Sequence, residues 1–323
     1  PIQDFYLKDV LSELDYTFIN NDDEVIKPSA DSKFFQDGNI NYDLLAKLVD
    51  HVDRKLANEG NSGSILIFLP GVLEIKKCLN ALDNDRYWSL PLHSALSSQD
   101  QKRIFNNPPR GQRKIVASTN IAETSITIPD AVVVIDSGRV KTVQYDHKSN
   151  STKLVESWAS QAEVGQRRGR AGRVQSGLCY KLYTENTLGL MLPQAIPEIK
   201  RTKLESIYLV VKAMGIKDVH QFLQNGLEPP EKQNVENAKR VLGEVGALHN
   251  DEMTCLGNYL SMLPTDLNSG KMLIFGAIFG CLDACLTLAA VSVSGNPFIV
   301  KHEERDEVKK VQMKFANGNG DMM

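Results

Sequence analysis

The sequence predicts an α/β protein: a parallel sheet covered on both faces, carrying a protruding β-hairpin and followed by a mostly helical half. Three observations point there. Short continuous apolar runs, such as Ser64-Ile65-Leu66-Ile67-Phe68-Leu69, alternate with stretches of helical periodicity, and strands buried on both faces read as such runs. Residues 138–156 depart from that pattern, with apolar and polar positions alternating around a polar tip. Beyond Tyr183 the apolar spacing is helical.

The elements follow in order. The first 40 residues are mixed and acidic, with NNDDE at 20–24, and predict a strand followed by a loop. Tyr42, Leu45, Ala46, Leu48, Val49, Val52 and Leu56 recur at helical spacing. The apolar strand 64–69 is stopped by Pro70-Gly71, and a helix follows over 72–82. The alternation continues as strand 88–92, helix 98–105, strand 114–118 and strand 131–135. Val140, Thr142, Gln144, Thr152 and Leu154 flank the tip Asp146-His147-Lys148-Ser149-Asn150, which predicts the hairpin. A helix over 160–173 and a strand over 177–183 close this first domain. Helices over 202–214 and 235–245 come next, with Gly215 and Gly246 as C-caps.

Composition narrows the function classes. With 323 residues, about two domains are expected, three if small. Lys+Arg 37 against Asp+Glu 40 excludes a uniformly basic coat, so any nucleic-acid contact comes from a local patch. Five cysteines without a CxxC pair read as reduced thiols of an intracellular protein, cytoplasmic rather than nuclear in the first instance. The chain begins at Pro1 with no signal segment and reads as a piece of something longer. The stretch Met272–Val293 is long enough to cross a bilayer. Asp283 sits at its middle, where a charge costs about 2.5–3.5 kcal/mol on insertion scales. The expectation is two buried helices joined at Cys281-Leu282-Asp283, with Asp283 as N-cap.

Two stretches carry chemistry. Gln166-Arg167-Arg168-Gly169-Arg170-Ala171-Gly172-Arg173 holds four arginines in seven residues, interleaved with small ones that allow close approach. On a helix, Arg170 and Arg173 project from one face, and guanidinium forks suit the oxygens of a triphosphate. The plain alternative is a solvated basic face or a localisation signal. Ser118-Thr119-Asn120-Ile121-Ala122-Glu123-Thr124-Ser125-Ile126-Thr127-Ile128-Pro129-Asp130 follows an apolar strand, where α/β sheets bind ligands. Its hydroxyls, amide and backbone N–H groups can hold phosphates without reading sequence. The alternative is an ordinary turn in which a Thr or Ser caps a helix.

These residues resemble the DEAH/RHA-type superfamily 2 ATP-dependent RNA helicases. Residues 166–173 resemble motif VI of that family, 118–125 motif V, Ile65–Gly71 motif IV, and Leu92-His93-Ser94-Ala95-Leu96-Ser97 the stretch after it. Gln166 favours the DEAH side over DEAD-box proteins, and Pro129-Asp130 the large multidomain RHA-like members. Ile196–Leu204 resembles the start of the family's winged helix, and Gly270–Asp283 its ratchet (helicase-associated) domain. The resemblance implies a second RecA-like domain over 1–183, a winged helix over 184–249 and a truncated ratchet domain over 250–323. It also implies ATP hydrolysis coupled to 3′→5′ movement on single-stranded RNA. Arg170 and Arg173 would be the arginine fingers at the γ-phosphate, with Gln166 reaching it too. Ser125 and Thr127 would sense the nucleotide, and Thr119 and Asn120 would touch the RNA backbone. Phe105 is the candidate that stacks the adenine; the alternative is a core phenylalanine. The hairpin would separate strands or limit the RNA path. Family members often carry Asp directly after the Thr-Ile of motif V, where this chain has Pro129, so a ribose contact from that position is in question.

No Walker A sequence and no Asp-Glu-x-His occur. The phosphate cradle, the Mg²⁺ ligand and the water-orienting Glu would come from the family's first RecA-like domain, the expected partner in the same polypeptide. Two other readings stand beside this one: a non-catalytic RNA- or protein-binding module that keeps the fold, and a DNA translocase. His302-Glu303-Glu304 does not complete a zinc motif, Cys281 and Cys285 read as core thiols, and Trp88 and Trp158 as supports of core and hairpin. No metal site is expected within the chain.

Overall fold

The computed structural model describes residues 1–19, 24–32, 35, 39–146, 151–173, 175–294, 307, 310, 311 and 313. The expected hairpin tip at 147–150, His302-Glu303-Glu304 and the tail from 314 lie outside the described residues. Two compact units are present: Pro1–Gln144 with Lys153–Ile196, and Tyr145–Thr152 with Pro197–Met323.

In the first unit the strands are β1 (Ile2–Phe5), the short pair β2 (Phe18–Ile19) and β3 (Val25–Ile26), β4 (Ser64–Phe68), β5 (Tyr87–Leu92), β6 (Arg113–Ser118), β7 (Ala131–Asp136), β8 (Arg139–Asp146), β9 (Ser151–Trp158) and β10 (Gly177–Lys181). Six of them form one sheet in the order β1-β10-β7-β4-β6-β5, parallel at every pairing. The central strands β4 and β7 are buried along their whole length. Successive side chains point to opposite faces: Ile65, Ile67, Val133 and Ile135 join one apolar cluster, while Leu66, Phe68 and Val134 join another. The helices of this unit are α1 (Leu7–Glu13), α2 (Tyr42–Asn58), α3 (Val72–Ala81), α4 (Ser98–Lys102), α5 (Ile121–Thr124), α6 (Gln161–Arg168) and α7 (Glu185–Leu190).

The hairpin is β8 paired with β9. At its root Gly138 has φ 69°, and a Cβ there would stand 2.6 Å from the Tyr183 ring, so only glycine fits. Lys141 Nζ lies 2.8 Å from Glu74 Oε2, tying the hairpin to α3. The Arg139 guanidinium covers the Trp158 ring at 3.6 Å, and Trp88 packs against the sheet core.

The second unit contains α8 (Glu198–Arg201), α9 (Glu205–Ala213), α10 (Val219–Gln224), α11 (Lys232–Val245), the antiparallel pair β11 (Leu248–His249) and β12 (Glu252–Met253), α12 (Cys255–Met262), α13 (Leu267–Ile278) and α14 (Leu282–Ser294). Its core gathers Leu204, Tyr208, Leu209, Leu242, Ala247 and Leu260. Gly215 and Gly246 take φ 82° and 86° after α9 and α11, as expected of C-caps.

Four expectations need correction. The segment after β1 is a helix, α1, because Leu7, Val10 and Leu11 bury one face. The helix expected over 160–173 ends at Arg168. There the chain turns to pack on β1: a Cβ on Gly172 would meet Ile2 at 2.5 Å, and one on Gly177 would meet the Ala171 carbonyl at 2.2 Å. Asp283 lies in the first turn of α14 instead of capping it. Finally, α13 and α14 are not buried: Phe275, Ile278, Phe279, Leu286 and Val293 are exposed. No helix among the described residues is long and apolar enough to cross a membrane.

Candidate functional site

The site forms where two stretches far apart in sequence meet: residues 119–127, which follow β6, and residues 167–173, at the end of α6 and after it. β6 delivers Thr119, whose N–H donates to Leu92 O at 3.1 Å. Thr119 is half-buried, and Asn120 behind it is exposed. Asn120 stands at the N-cap position of α5 but makes no side-chain cap bond, so its amide is not consumed by a capping role.

α6 is started by a capping box: Ser160 Oγ accepts from Glu163 N–H at 3.3 Å, and Glu163 Oε2 accepts from Ser160 N–H at 2.7 Å. It carries Arg167 inward. That side chain is 1% exposed and donates to Glu123 Oε2 at 3.0 Å and Asp136 Oδ1 at 3.0 Å. It also lies over the Phe68 ring at 5.2 Å. Two carboxylates thus face one guanidinium in a dry pocket. Burial raises the Glu123 carboxyl above its ordinary value despite the Arg167 charge beside it. Asp136 Oδ1 also accepts from Gly138 N–H at 2.8 Å, while its Oδ2 is buried with no partner among the described residues. Arg168 turns to the sheet edge and grips Asp4, Nε lying 2.9 and 2.8 Å from the two carboxylate oxygens.

After Gly169 the turn sends Arg170 and Arg173 to one atom. Arg170 Nη1 donates to Thr127 Oγ1 at 3.2 Å, and Arg173 Nη1 donates to the same oxygen at 2.9 Å. Arg170 Nη2 also bonds the carbonyl of Glu123. Their convergence comes from this turn, not from the helix face expected of them. Burial, and then the charge of Arg173, lower the Arg170 guanidinium from its usual value, and the Glu123 charge offsets this only in part. An incoming polyanion would relieve that repulsion.

Of the expected site residues, the structure unites Arg170, Arg173 and Thr127. Gln166 and Ser125 are exposed, and their side chains bond no described residue. Phe105 ends a 3₁₀ turn, Arg103–Phe105, and is 52% exposed, which excludes the core reading. Arg167, Glu123 and Asp136 were not among the expected site residues. The one available signal was an acid closing an apolar run, Val132-Val133-Val134-Ile135-Asp136. Among the described residues no cluster of His, Cys, Asp or Glu could hold a metal ion.

A doubly covered parallel sheet, with arginines from the turn after α6 meeting the loop between α5 and β7, fits a RecA-like helicase module. Comparison with known proteins agrees. Residues 43–175 match the family described as helicase conserved C-terminal domain, and residues 266–323 match the helicase associated domain (HA2), ratchet-like. A putative ATP-dependent RNA helicase of Saccharomyces cerevisiae is 47% identical over 100% of this chain and 24% of its own length. The ATP-dependent RNA helicase DHX29 of Homo sapiens is 42% identical over 87% of this chain and 21% of its own. The crystal structure of the Escherichia coli DEAH/RHA helicase HrpB superposes with a TM-score of 0.73 at 25% identity, covering 99% of this chain and 38% of that one. The chain thus carries the conserved C-terminal and ratchet-like helicase-associated domains of proteins named as DEAH- and DExH-box ATP-dependent helicases. It spans about a quarter of the length of the curated relatives it matches.

Proposed function

We propose that this chain supplies the arginine-finger half of the ATP site and part of the RNA path of an ATP-dependent RNA helicase moving 3′→5′. The observation that carries this reading is the meeting of Arg170 and Arg173 on Thr127 Oγ1. Two guanidinium forks on one hydroxyl leave further donors for the oxygens of a γ-phosphate. When a triphosphate arrives from the first RecA-like domain, the forks exchange Thr127 for phosphate and stabilise charge developing in the transition state. Gln166, exposed on α6, reaches the same phosphate, and Ser125 and Thr127 report its presence to motif V. Phe105 offers its ring to the adenine.

Mg²⁺, in this reading, neutralises the β- and γ-phosphates. Its ligands would come mostly from the first RecA-like domain. Thr119 and Asn120 hold the phosphates and sugars of single-stranded RNA, and the hairpin limits its path. The buried, free thiols Cys78 and Cys179 fit an intracellular, reducing compartment, cytoplasmic in the first instance.

The test is RNA binding by the full-length protein with Thr119 and Asn120 both changed to Ala. Binding should weaken alike for unrelated single-stranded sequences, and the salt slope should fall by about 1 for each phosphate that is no longer held. A loss confined to one sequence would contradict backbone recognition. An unchanged slope would remove these residues from the RNA path.

A further inference from the structure

Lys114 is the second residue of β6 and is followed by Ile115, Val116 and Ala117, all fully buried. Its own side chain is 3% exposed. An ammonium in such a place is retained only if its donors are met, and a lysine has three. Two hydrogen bonds and an ion pair meet it here. Nζ donates to Ile104 O at 2.8 Å and to Asn106 O at 3.3 Å, and lies 2.9 Å from Asp130 Oδ2.

The two carbonyls belong to the residues on either side of Phe105. Ile104 is fully buried, and Phe105 is 52% exposed. One ammonium therefore holds both shoulders of the turn while its middle residue stands in solvent. The apolar core pins Ile104, and the ammonium fixes the peptide on each side, so the Cα–Cβ bond from which the ring swings has a set direction. Asp130 completes the device from the end of motif V. The acid stands one place later than the family pattern expects, and its carboxylate faces Lys114. A methionine at 114 would fill the same space; what the ammonium adds is orientation.

We infer that Lys114 and Asp130 are positioning residues that aim Phe105 at the base of a bound nucleoside triphosphate. The inference rests on the stacking role proposed above for Phe105. Lys114 and Asp130 act through that ring and touch no phosphate. They also link it to β6, the strand that runs directly into Thr119.

The experiment uses the full-length protein, with ATP hydrolysis at saturating single-stranded RNA and binding of base-free tripolyphosphate as paired readouts. Lys114→Met should raise the KM for ATP roughly 10-fold, within what stacking of one base is worth. Its kcat should stay within about 2-fold, the pattern expected when uniform binding is removed. Tripolyphosphate should bind as it does to the unaltered protein. Lys114→Met combined with Phe105→Ala should be no worse than Phe105→Ala alone, because both remove the same interaction. If Lys114→Met fails to fold, Asp130→Asn carries the test, since Asp130 is 40% exposed and its change leaves the strand intact. Equal loss of ATP and tripolyphosphate affinity, or full additivity with Phe105→Ala, would overturn the positioning role while leaving the stacking role in place. An unchanged KM in Phe105→Ala would overturn both.

Discussion

Arg167 and Arg168 lie on a helix and Arg170 and Arg173 on the turn after it, and the same residue type meets opposite fates across that boundary. The helical pair is spent inside the protein, Arg167 on Glu123 and Asp136, Arg168 on Asp4. Among the described residues, the pair on the turn reaches a hydroxyl and two backbone carbonyls, and no carboxylate. An arginine locked to an acid cannot give that charge to a ligand; one resting on a hydroxyl can. The difference teaches that a basic run is sorted by what it faces, and that the sorting is done by where the helix ends. Gly169 caps it, and the chain that follows lies against Ile2 at Gly172.

The contrast is broken most directly by rate. In the full-length protein Arg170→Ala or Arg173→Ala should lower RNA-stimulated ATP turnover by about 10³–10⁵, the worth of an arginine finger in related phosphoryl-transfer enzymes. Melting temperature and RNA binding should change little, since neither side chain bonds an acid. Lysine at either place should rescue poorly, because a point charge does not reproduce a planar fork. Single-turnover hydrolysis and thermal melting on the same preparations decide. A normal rate in Arg170→Ala removes that residue from the finger role, and an early melt common to all functions would make the turn structural.

The helical pair should behave the other way. Arg167→Met leaves two buried carboxylates without their cation, and breaking a buried pair from one side costs about 3–5 kcal/mol. ATP turnover, RNA binding and stability should then fall together. Arg168→Met opens a partly exposed pair with Asp4, worth about 1 kcal/mol or less. Urea unfolding measures both. A stable Arg167→Met protein lacking only ATP turnover would place Arg167 among the fingers and erase the boundary.

How much of this was legible follows the same physics. β4, β6 and β7 could be read because burial on both faces leaves an apolar run that few other structures produce. The hairpin could be read because its alternation has a period of two. Arg170 and Arg173 are paired in the sequence by a helix face that does not exist, and they meet on Thr127 through a turn instead; the packing of Gly172 on Ile2 is tertiary and leaves no periodic trace. Lys114 is hidden in the sequence because it opens the expected strand 114–118, a place where an exposed lysine is ordinary. α13 and α14 misled in the opposite sense. Their residues are apolar nearly all round, which reads as burial, and yet Phe275 and Ile278 face outward. Composition tells what a helix could bury, not what stands beside it.

The smallest expected effect bears on why Arg167 stays locked. Glu123 and Asp136 share one guanidinium, so the pocket holds one acid more than it holds bases. Burial raises the Glu123 carboxyl above its value of 4.5 in an unfolded chain, and the Arg167 charge offsets this only in part. Between 4.5 and the raised folded value, the folded protein therefore binds more protons at this site than the unfolded one. The sign follows: this group's penalty is absent below 4.5 and grows as pH rises through the folded value. Glu123→Gln removes the titration while keeping a carbonyl for Arg167 to bond. The stability of the unaltered protein, measured relative to Glu123→Gln by urea unfolding, should decline as pH is raised from about 4.5 to about 7. A difference that grows with pH would mean that Arg167 favours the Glu123 carboxylate more than burial penalises it. In that case Glu123 would join Arg167 as a fully compensated pair, with Asp136 carrying the excess charge.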